Sequence, residues 1–266
     1  MSRTIGVFDS GVGGLSVLQH IRETLPDARL IYVADSAHVP YGDKTPADIE
    51  SRSLKLTQFL IEQGAEAIVI ACNTATAAAA QILREKYSLP IIAMEPAVKP
   101  AVAATLSGVV GVLATIGTLE SSRFAALLEK YAGDIEIITQ GCPGLVERVE
   151  SGDLQSESTR QLITQYTAPL LARGADTLIL GCTHYPFLAP IIRDVIGEKI
   201  TLIDTGAAVA RELQRRIETE LVEADAIATT HHDRFFTSGE LQNATRIMSI
   251  LWGQPVTVEM LPLAYR

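Results

Sequence analysis

Residues 68–74 read Ile68-Val69-Ile70-Ala71-Cys72-Asn73-Thr74, a short apolar run that ends at a cysteine followed by polar residues. The same pattern returns in residues 178–184, which read Leu178-Ile179-Leu180-Gly181-Cys182-Thr183-His184. Continuous Val, Ile and Leu runs are typical of strands that are covered on both faces in a parallel sheet. The two stretches therefore predict two buried strands, each of which ends at a cysteine.

A second repeat supports a duplicated architecture. Residues 6–9 (Gly-Val-Phe-Asp) resemble residues 111–115 (Gly-Val-Leu-Ala-Thr), and a turn and a helical pattern follow each run. The two repeats have nearly equal sequence offsets, which favours two related units over a chance likeness between buried strands. Two such units facing each other would place Cys72 and Cys182 on opposite sides of one cleft.

Apolar runs alternate with amphipathic helical patterns along most of the chain, an order typical of βαβ units. Predicted strands cover residues 5–9, 30–35, 67–71, 91–93, 109–115, 135–139, 178–181, 201–204, 235–238 and 256–261. Helical patterns cover residues 54–63, 124–131, 162–173 and 207–221, and Thr45 before Pro46 predicts a further helix start. We predict an α/β fold of two similar doubly wound domains with mostly parallel sheets and pseudo-two-fold symmetry. Residues 1–96 with 208–266 would form the first domain and residues 97–207 the second, with the active site between them.

Composition narrows the classes of partner. The 266 residues are 47% apolar and 20% charged, an ordinary globular balance, and the net charge is −9. No run of Lys and Arg could neutralise a phosphate backbone, so we expect no nucleic-acid partner. Residues 100–119 carry no charge, but Ser107-Gly108 and the β-branched residues after it indicate helix, turn and strand, so we expect no membrane partner.

Three cysteines, far apart and without a Cys-x-x-Cys motif, make a disulfide framework improbable. They favour a reducing compartment, and the N-terminus lacks the apolar core of a signal peptide, so we expect a cytoplasmic protein.

Several polar residues follow predicted strands, where ligands bind in open α/β sheets. Asp9-Ser10, Cys72-Asn73-Thr74, Thr115 to Thr118 and Cys182-Thr183-His184 all occupy such strand ends. Helices begin just after them, and a helix N-terminus favours an anion and stabilises a thiolate. One buried cysteine is often only a small apolar residue, but two in matching positions point to function.

The glycine-rich turn Asp9-Ser10-Gly11-Val12-Gly13-Gly14 does not fit a nucleotide site. A dinucleotide fingerprint requires Gly or Ala where this chain has Ser16, and the Gly-Lys-Ser/Thr of a P-loop is missing. The glycines would allow close approach of a small ligand, or they serve a purely structural turn; the sequence leaves both open. His184 lies two residues after Cys182 and could help activate it, whereas His231 and His232 are expected at the surface. We expect no metal, because no second pair of ligands accompanies Cys182 and His184.

Four motifs together resemble one family. Residues 9–16 (Asp-Ser-Gly-Val-Gly-Gly-Leu-Ser), 40–42 (Pro-Tyr-Gly), 71–75 (Ala-Cys-Asn-Thr-Ala) and 181–186 (Gly-Cys-Thr-His-Tyr-Pro) are similar to the glutamate racemases of the aspartate/glutamate racemase superfamily. The likeness runs along most of the chain and includes residues 142–146 (Cys-Pro-Gly-Leu-Val).

The resemblance implies cofactor-independent interconversion of L- and D-glutamate, which would supply D-glutamate for peptidoglycan, and a homodimer. It implies that Cys72 and Cys182 are the catalytic cysteines, with Asp9 and His184 assisting them and Glu150 working alongside the histidine. Substrate contacts would come from Asp9, Ser10, Tyr41, Gly42, Asn73, Thr74, Thr183 and His184, and Thr115 and Thr118 are further candidates. The family has proline where this chain has Glu147, which leaves open whether Glu147 or Glu150 faces the site.

The chemistry suits a pair of thiols. Racemisation removes the α-proton from one face and returns a proton to the other, so one sulfur must be a thiolate while the other is a thiol. Acyl transfer by Cys182 with His184 is a competing function, but it leaves Cys72 without a role. A non-catalytic amino-acid binding module is a second competing function. An aspartate racemase is a third, since one methylene of substrate length is hard to distinguish from sequence.

Overall fold

The computed structural model describes residues 3–221 and 232–266, and within these ranges ten strands and eleven α-helices occur. The strands are β1 (Thr4–Asp9), β2 (Arg29–Ala34), β3 (Ala67–Ile70), β4 (Ile91–Ala93), β5 (Val109–Ala114), β6 (Glu136–Gly141), β7 (Thr177–Leu180), β8 (Thr201–Ile203), β9 (Arg234–Thr237) and β10 (Val258–Met260). The helices are α1 (Leu15–Thr24), α2 (Pro46–Glu62), α3 (Asn73–Lys86), α4 (Val98–Ala104), α5 (Ile116–Leu119), α6 (Ser122–Tyr131), α7 (Leu145–Ser151), α8 (Glu157–Ala172), α9 (Ala189–Ile196), α10 (Gly206–Glu220) and α11 (Leu241–Trp252). Short 3₁₀ helices cover Tyr41–Asp43, Tyr185–Leu188 and Leu263–Tyr265.

Two separate sheets carry the fold. The first has the strand order β10-β9-β2-β1-β3-β4 and the second has the order β6-β5-β7-β8. Every strand pair described is parallel. The run β2-β1-β3-β4 has the same order as β6-β5-β7-β8, with β1 equivalent to β5 and β3 to β7. The predicted α/β fold with two similar parallel-sheet units is confirmed.

Burial explains why the strands read as apolar runs. All four residues of β3 and of β7 are buried, because each strand lies inside its sheet with layers on both faces. The chain returns to the first sheet through β9 and β10, as expected, and α10 packs against α1. The exact domain boundaries at residues 96/97 and 207/208 stay a prediction. His231 lies outside the described residues, and His232 is exposed.

Two local predictions are also confirmed. Thr45 caps α2, since its hydroxyl oxygen accepts a hydrogen bond from the Asp48 amide (3.2 Å), and Pro46 occupies the first helical position. The uncharged stretch 100–119 divides into the end of α4, a turn, β5 and α5. Among the described residues, no helix is long and apolar enough to span a bilayer.

Candidate active site

The carboxyl ends of the central strands of both sheets open onto one small cavity, where the predicted residues from both halves of the chain meet. It is lined by Ser10, Pro40, Tyr41, Gly42, Cys72, Asn73, Thr74, Thr115, Val146, Gly181, Cys182, Thr183 and His184. Cys72 follows β3 and Cys182 follows β7, so equivalent strand ends deliver the two sulfurs to the same space. Both are free thiols and both are buried.

Cys72 begins helix α3 and is backed by a hydroxyl and a carboxylate. Its sulfur accepts a hydrogen bond from the Ala75 amide (3.4 Å) and lies 3.8 Å from the Ser10 hydroxyl. Oδ1 of Asp9 accepts hydrogen bonds from the amide (2.6 Å) and the hydroxyl (3.2 Å) of Ser10. Burial, and then the charge of Asp9, raise the pKa of the Cys72 thiol. The structure thus links Cys72 to Asp9 through Ser10, and it favours the protonated form of this sulfur.

Cys182 is backed by an imidazole and a carboxylate. Its sulfur lies 3.7 Å from Nδ1 of His184, and Nε2 of His184 lies 2.7 Å from Oε1 of Glu150. Burial alone would lower the pKa of His184, but hydrogen bonds with Cys182 and Glu150 offset this, and the pKa lies well above its ordinary value. A protonated ring donates from both nitrogens, so it bridges the sulfur and the carboxylate.

Glu150, and not Glu147, is hydrogen-bonded to a residue that lines the cavity. Glu147 is exposed, whereas Oε1 of Glu150 accepts hydrogen bonds from His184 and from the amide of Val12 (2.7 Å). Glu150 lies on α7, next to the second sheet, and Val12 lies in the turn after β1, so the same oxygen joins the two halves of the molecule.

The glycine-rich turn makes room for these side chains. A Cβ on Gly11 would lie 1.9 Å from Oε1 of Glu150, and one on Gly13 would lie 2.3 Å from Nδ1 of His184. At these two positions the structure thus gives the glycines a packing role, and close approach of a ligand to this turn stays a prediction. The protein's own acid–base side chains occupy the space, because the second half of the chain packs directly onto the turn.

The cavity wall next to Cys72 carries an unpaired amide. Both side-chain polar atoms of Asn73 are buried and have no hydrogen-bond partner, an arrangement that costs free energy unless a ligand supplies the partners. Next to it, the hydroxyl of Thr74 lies 3.0 Å from those of Thr115 and Thr118, so three hydroxyls from both halves of the chain form a triangle.

Tyr41 lines the cavity, but its hydroxyl is already engaged. It donates to Oδ2 of the buried Asp35 (2.6 Å), which also accepts from Nε of Arg52 (2.8 Å). The ion pair between Asp35 and Arg52 holds the pKa of Asp35 below its ordinary value, against the effect of burial. Of the predicted contacts, Tyr41 therefore lines the cavity with its hydroxyl already paired to Asp35. Sequence reasoning missed Arg52, which lies inside a helix with no motif around it.

The remaining predicted residues lie directly behind the cavity or in its wall. Asp9 and Glu150 do not line it but are each bonded to a residue that does, and Oδ2 of Asp9 accepts hydrogen bonds from the Gly14 amide (2.6 Å) and the Thr183 hydroxyl (3.3 Å). Burial raises the pKa of Asp9.

The third cysteine, Cys142, lies outside the cavity, and burial raises its pKa to about 12. Within residues 3–221 and 232–266, no group of three or more His, Cys, Asp and Glu side chains could hold a metal ion.

Comparison with known proteins agrees with this geometry. The profile of the Asp/Glu/Hydantoin racemase family matches residues 5–213. The chain belongs to this family. A racemase-family relative, the glutamate racemase of Stutzerimonas stutzeri, is 57% identical over 259 residues, which are 97% of each chain.

Solved structures of the same racemase family share the whole fold. A structure of Escherichia coli glutamate racemase with L-glutamate and the activator UDP-MurNAc-ala has a TM-score of 0.88 and 33% identity, covering 98% of each chain. A structure of the Francisella tularensis enzyme with D-glutamate has a TM-score of 0.84 and 29% identity, again over 98% of each chain.

Proposed function

We propose that this chain interconverts L- and D-glutamate without a cofactor, using Cys72 and Cys182 as its two acid–base groups. The observation that carries the proposal is that two sulfurs from equivalent strand ends share one cavity, each with its own buried polar partners. Relatives and solved structures of this length and similarity are named glutamate racemases, and two of those structures hold L- and D-glutamate.

The two sulfurs exchange roles between the two directions. A thiolate on one side removes the α-proton, a planar carbanion-like intermediate forms, and the thiol on the other side returns a proton to the opposite face. The raised pKa of His184 places a cationic ring beside the sulfur of Cys182, whereas burial and the charge of Asp9 raise the pKa of the Cys72 thiol. The two sulfurs therefore have different polar partners, an imidazole beside Cys182 and a hydroxyl beside Cys72.

The cavity offers hydrogen-bond donors for the substrate rather than cationic side chains. Among the described residues that line it, none is a lysine or an arginine. The amides at the start of α3, the unpaired amide of Asn73 and the hydroxyls of Thr74 and Thr183 would bind the carboxylates. The hydroxyl of Ser10, with Asp9 bonded behind it, would bind the ammonium group. The same donors stabilise the negative charge that develops when the α-proton leaves.

The biological setting is part of the same proposal. We propose that the enzyme works in the cytoplasm as a homodimer and supplies D-glutamate for peptidoglycan. Acyl transfer by Cys182 alone is the less favoured function, because Cys72 lies in the same cavity with its own hydroxyl and carboxylate behind it.

Incubation with L-glutamate in deuterated water tests the proposal. A racemase produces D-glutamate with deuterium at Cα, whereas an amidase releases ammonia without exchange at Cα. Cys72→Ala and Cys182→Ala should each lower the rate by at least about 10²–10⁴-fold in both directions, because each removes one acid–base group.

Cys142→Ala is the matched control, since it removes a buried thiol outside the cavity and should leave the rate unchanged. Retained racemisation in either of the other two variants would refute the two-thiol mechanism. A circular-dichroism assay with L-aspartate in place of L-glutamate would identify an aspartate racemase instead.

A further inference from the structure

Ser16 occupies a position that the proposed chemistry does not use. It lies in the first turn of α1, directly after the glycine-rich turn, and is 7% exposed. It is also the residue that stands where a dinucleotide fingerprint requires glycine or alanine. A buried hydroxyl needs a partner, so the question is which acceptor it serves.

The Ser16 hydroxyl contacts the second half of the molecule. Oγ of Ser16 lies 2.8 Å from the carbonyl oxygen of Thr183 and 2.9 Å from that of Gly13. The Gly13 carbonyl already accepts a hydrogen bond from the backbone amide of Ser16 (3.0 Å). The Thr183 carbonyl lies in the loop after β7. A hydroxyl has one proton to donate. The Thr183 carbonyl is therefore the acceptor that depends on this side chain.

Thr183 is the residue between Cys182 and His184. The sulfur of Cys182 lies 3.7 Å from Nδ1 of His184. The side chain of Thr183 is held from the first half as well, since its hydroxyl donates to Oδ2 of Asp9 (3.3 Å). The main chain and the side chain of one residue are thus both bonded to the opposite half of the molecule. The backbone bond fixes the Thr183–His184 peptide, which lies one residue after Cys182 and carries the imidazole that contacts its sulfur.

We infer that Ser16 is a positioning residue that holds the sulfur of Cys182 in place through the Thr183 carbonyl. This inference rests on the proposed function. Ser16 touches no reacting atom, and it acts because a small displacement of an acid–base group lowers the rate of proton transfer steeply. Cys72 has no bond to Ser16, so its own proton transfer should be unaffected.

The test uses Ser16→Ala in the full-length protein, with substrate carrying deuterium at Cα in each enantiomer. The value of kcat/KM should fall about tenfold, equivalent to about 1.4 kcal/mol. The primary isotope effect on kcat/KM should rise for the enantiomer whose deuteron Cys182 removes. It should fall towards its equilibrium value for the other enantiomer, because reprotonation by Cys182 then becomes the slow step.

Ser53→Ala is the matched control. Ser53 lies on α2, its hydroxyl is also buried, and that hydroxyl has no hydrogen-bond partner. The variant therefore makes the same chemical change without removing a bond between the two halves. It should leave both isotope effects at their wild-type values. A loss of folded protein alone would lower the rate of Ser16→Ala but move neither isotope effect.

Two failures remain distinguishable. If the wild-type protein produces no D-glutamate from L-glutamate, the proposed function falls and the inference with it. If the wild-type protein racemises glutamate but the isotope effects of Ser16→Ala change in parallel or match those of Ser53→Ala, only the positioning role is overturned.

Discussion

Asn73 combines a cost to stability with a use in binding. Its buried amide has no partner for either polar atom, and it borders the cavity next to Cys72. A buried polar group without a hydrogen bond destabilises the folded state, so removing it should be neutral or favourable for folding. A substrate carboxylate would supply the missing partner.

Asn73→Ala should therefore separate stability from binding. We expect an unfolding temperature equal to or above that of the wild type, because alanine also suits the first turn of α3. The KM for glutamate should rise about tenfold, since a hydrogen bond worth roughly 1–2 kcal/mol is lost from the complex. Thermal unfolding and initial-rate kinetics measure the two effects, and a clear loss of stability with unchanged KM would contradict this role.

The ion pair between His184 and Glu150 predicts a pH dependence. The hydrogen bond with Glu150 helps to raise the pKa of His184, so this contribution to stability is fully present below the ordinary histidine pKa of about 6.5. It is lost as the pH rises through the raised pKa of the folded state. Glu150→Gln keeps the shape but removes the charge, so the folded-state pKa of His184 should fall.

The free energy of unfolding of Glu150→Gln should accordingly lie furthest below that of the wild type near pH 6, and the difference should shrink as the pH rises. The alkaline limb of the kcat/KM profile should move to lower pH. Denaturant unfolding and rate profiles across pH 6–9 measure both. Glu147→Gln is the control, because Glu147 lies on the same helix but is exposed. A difference that grows with pH would refute the sign of this coupling.

The glycine-rich turn after β1 and the helix α7 fit together as one interface. A Cβ on Gly11 would overlap Oε1 of Glu150, and that oxygen also accepts the Val12 amide. The turn can therefore lie against α7 only while position 11 has no side chain. Backbone strain is not the reason for this glycine, since its φ is not positive.

A double-mutant cycle tests this fit. Gly11→Ala alone should lower activity by at least about 10²-fold while each half stays folded, because the methyl group pushes the turn away from the His184–Glu150 pair. Glu150→Ala should lower activity by removing the partner of His184. The double variant should be no worse than Glu150→Ala alone, since the clash has been removed; additive losses would show that the two positions act independently.

The sequence predicts those parts of the molecule that depend on local patterns. Buried parallel strands leave continuous apolar runs, and the repeated cysteine motif places both sulfurs at equivalent strand ends, as β3 and β7 confirm. The contacts between the two halves were beyond reach, because they depend on how two units 100 residues or so apart are oriented. The bond of Ser16 to Thr183 spans 167 positions, and that of Val12 to Glu150 spans 138. The packing of Gly11 and Gly13 against Glu150 and His184 was beyond reach for the same reason.

The whole molecule is symmetric in its strands but not in its chemistry. Cys72 is backed by a hydroxyl and a carboxylate, whereas Cys182 is backed by an imidazole and a carboxylate. Mirror-image substrates have equal free energies, so under the proposed function the ratio of kcat/KM in the two directions is one, whatever the surroundings of each sulfur. Unequal partners cannot bias the equilibrium. They act on the individual steps, and so they set kcat and KM separately for the two enantiomers.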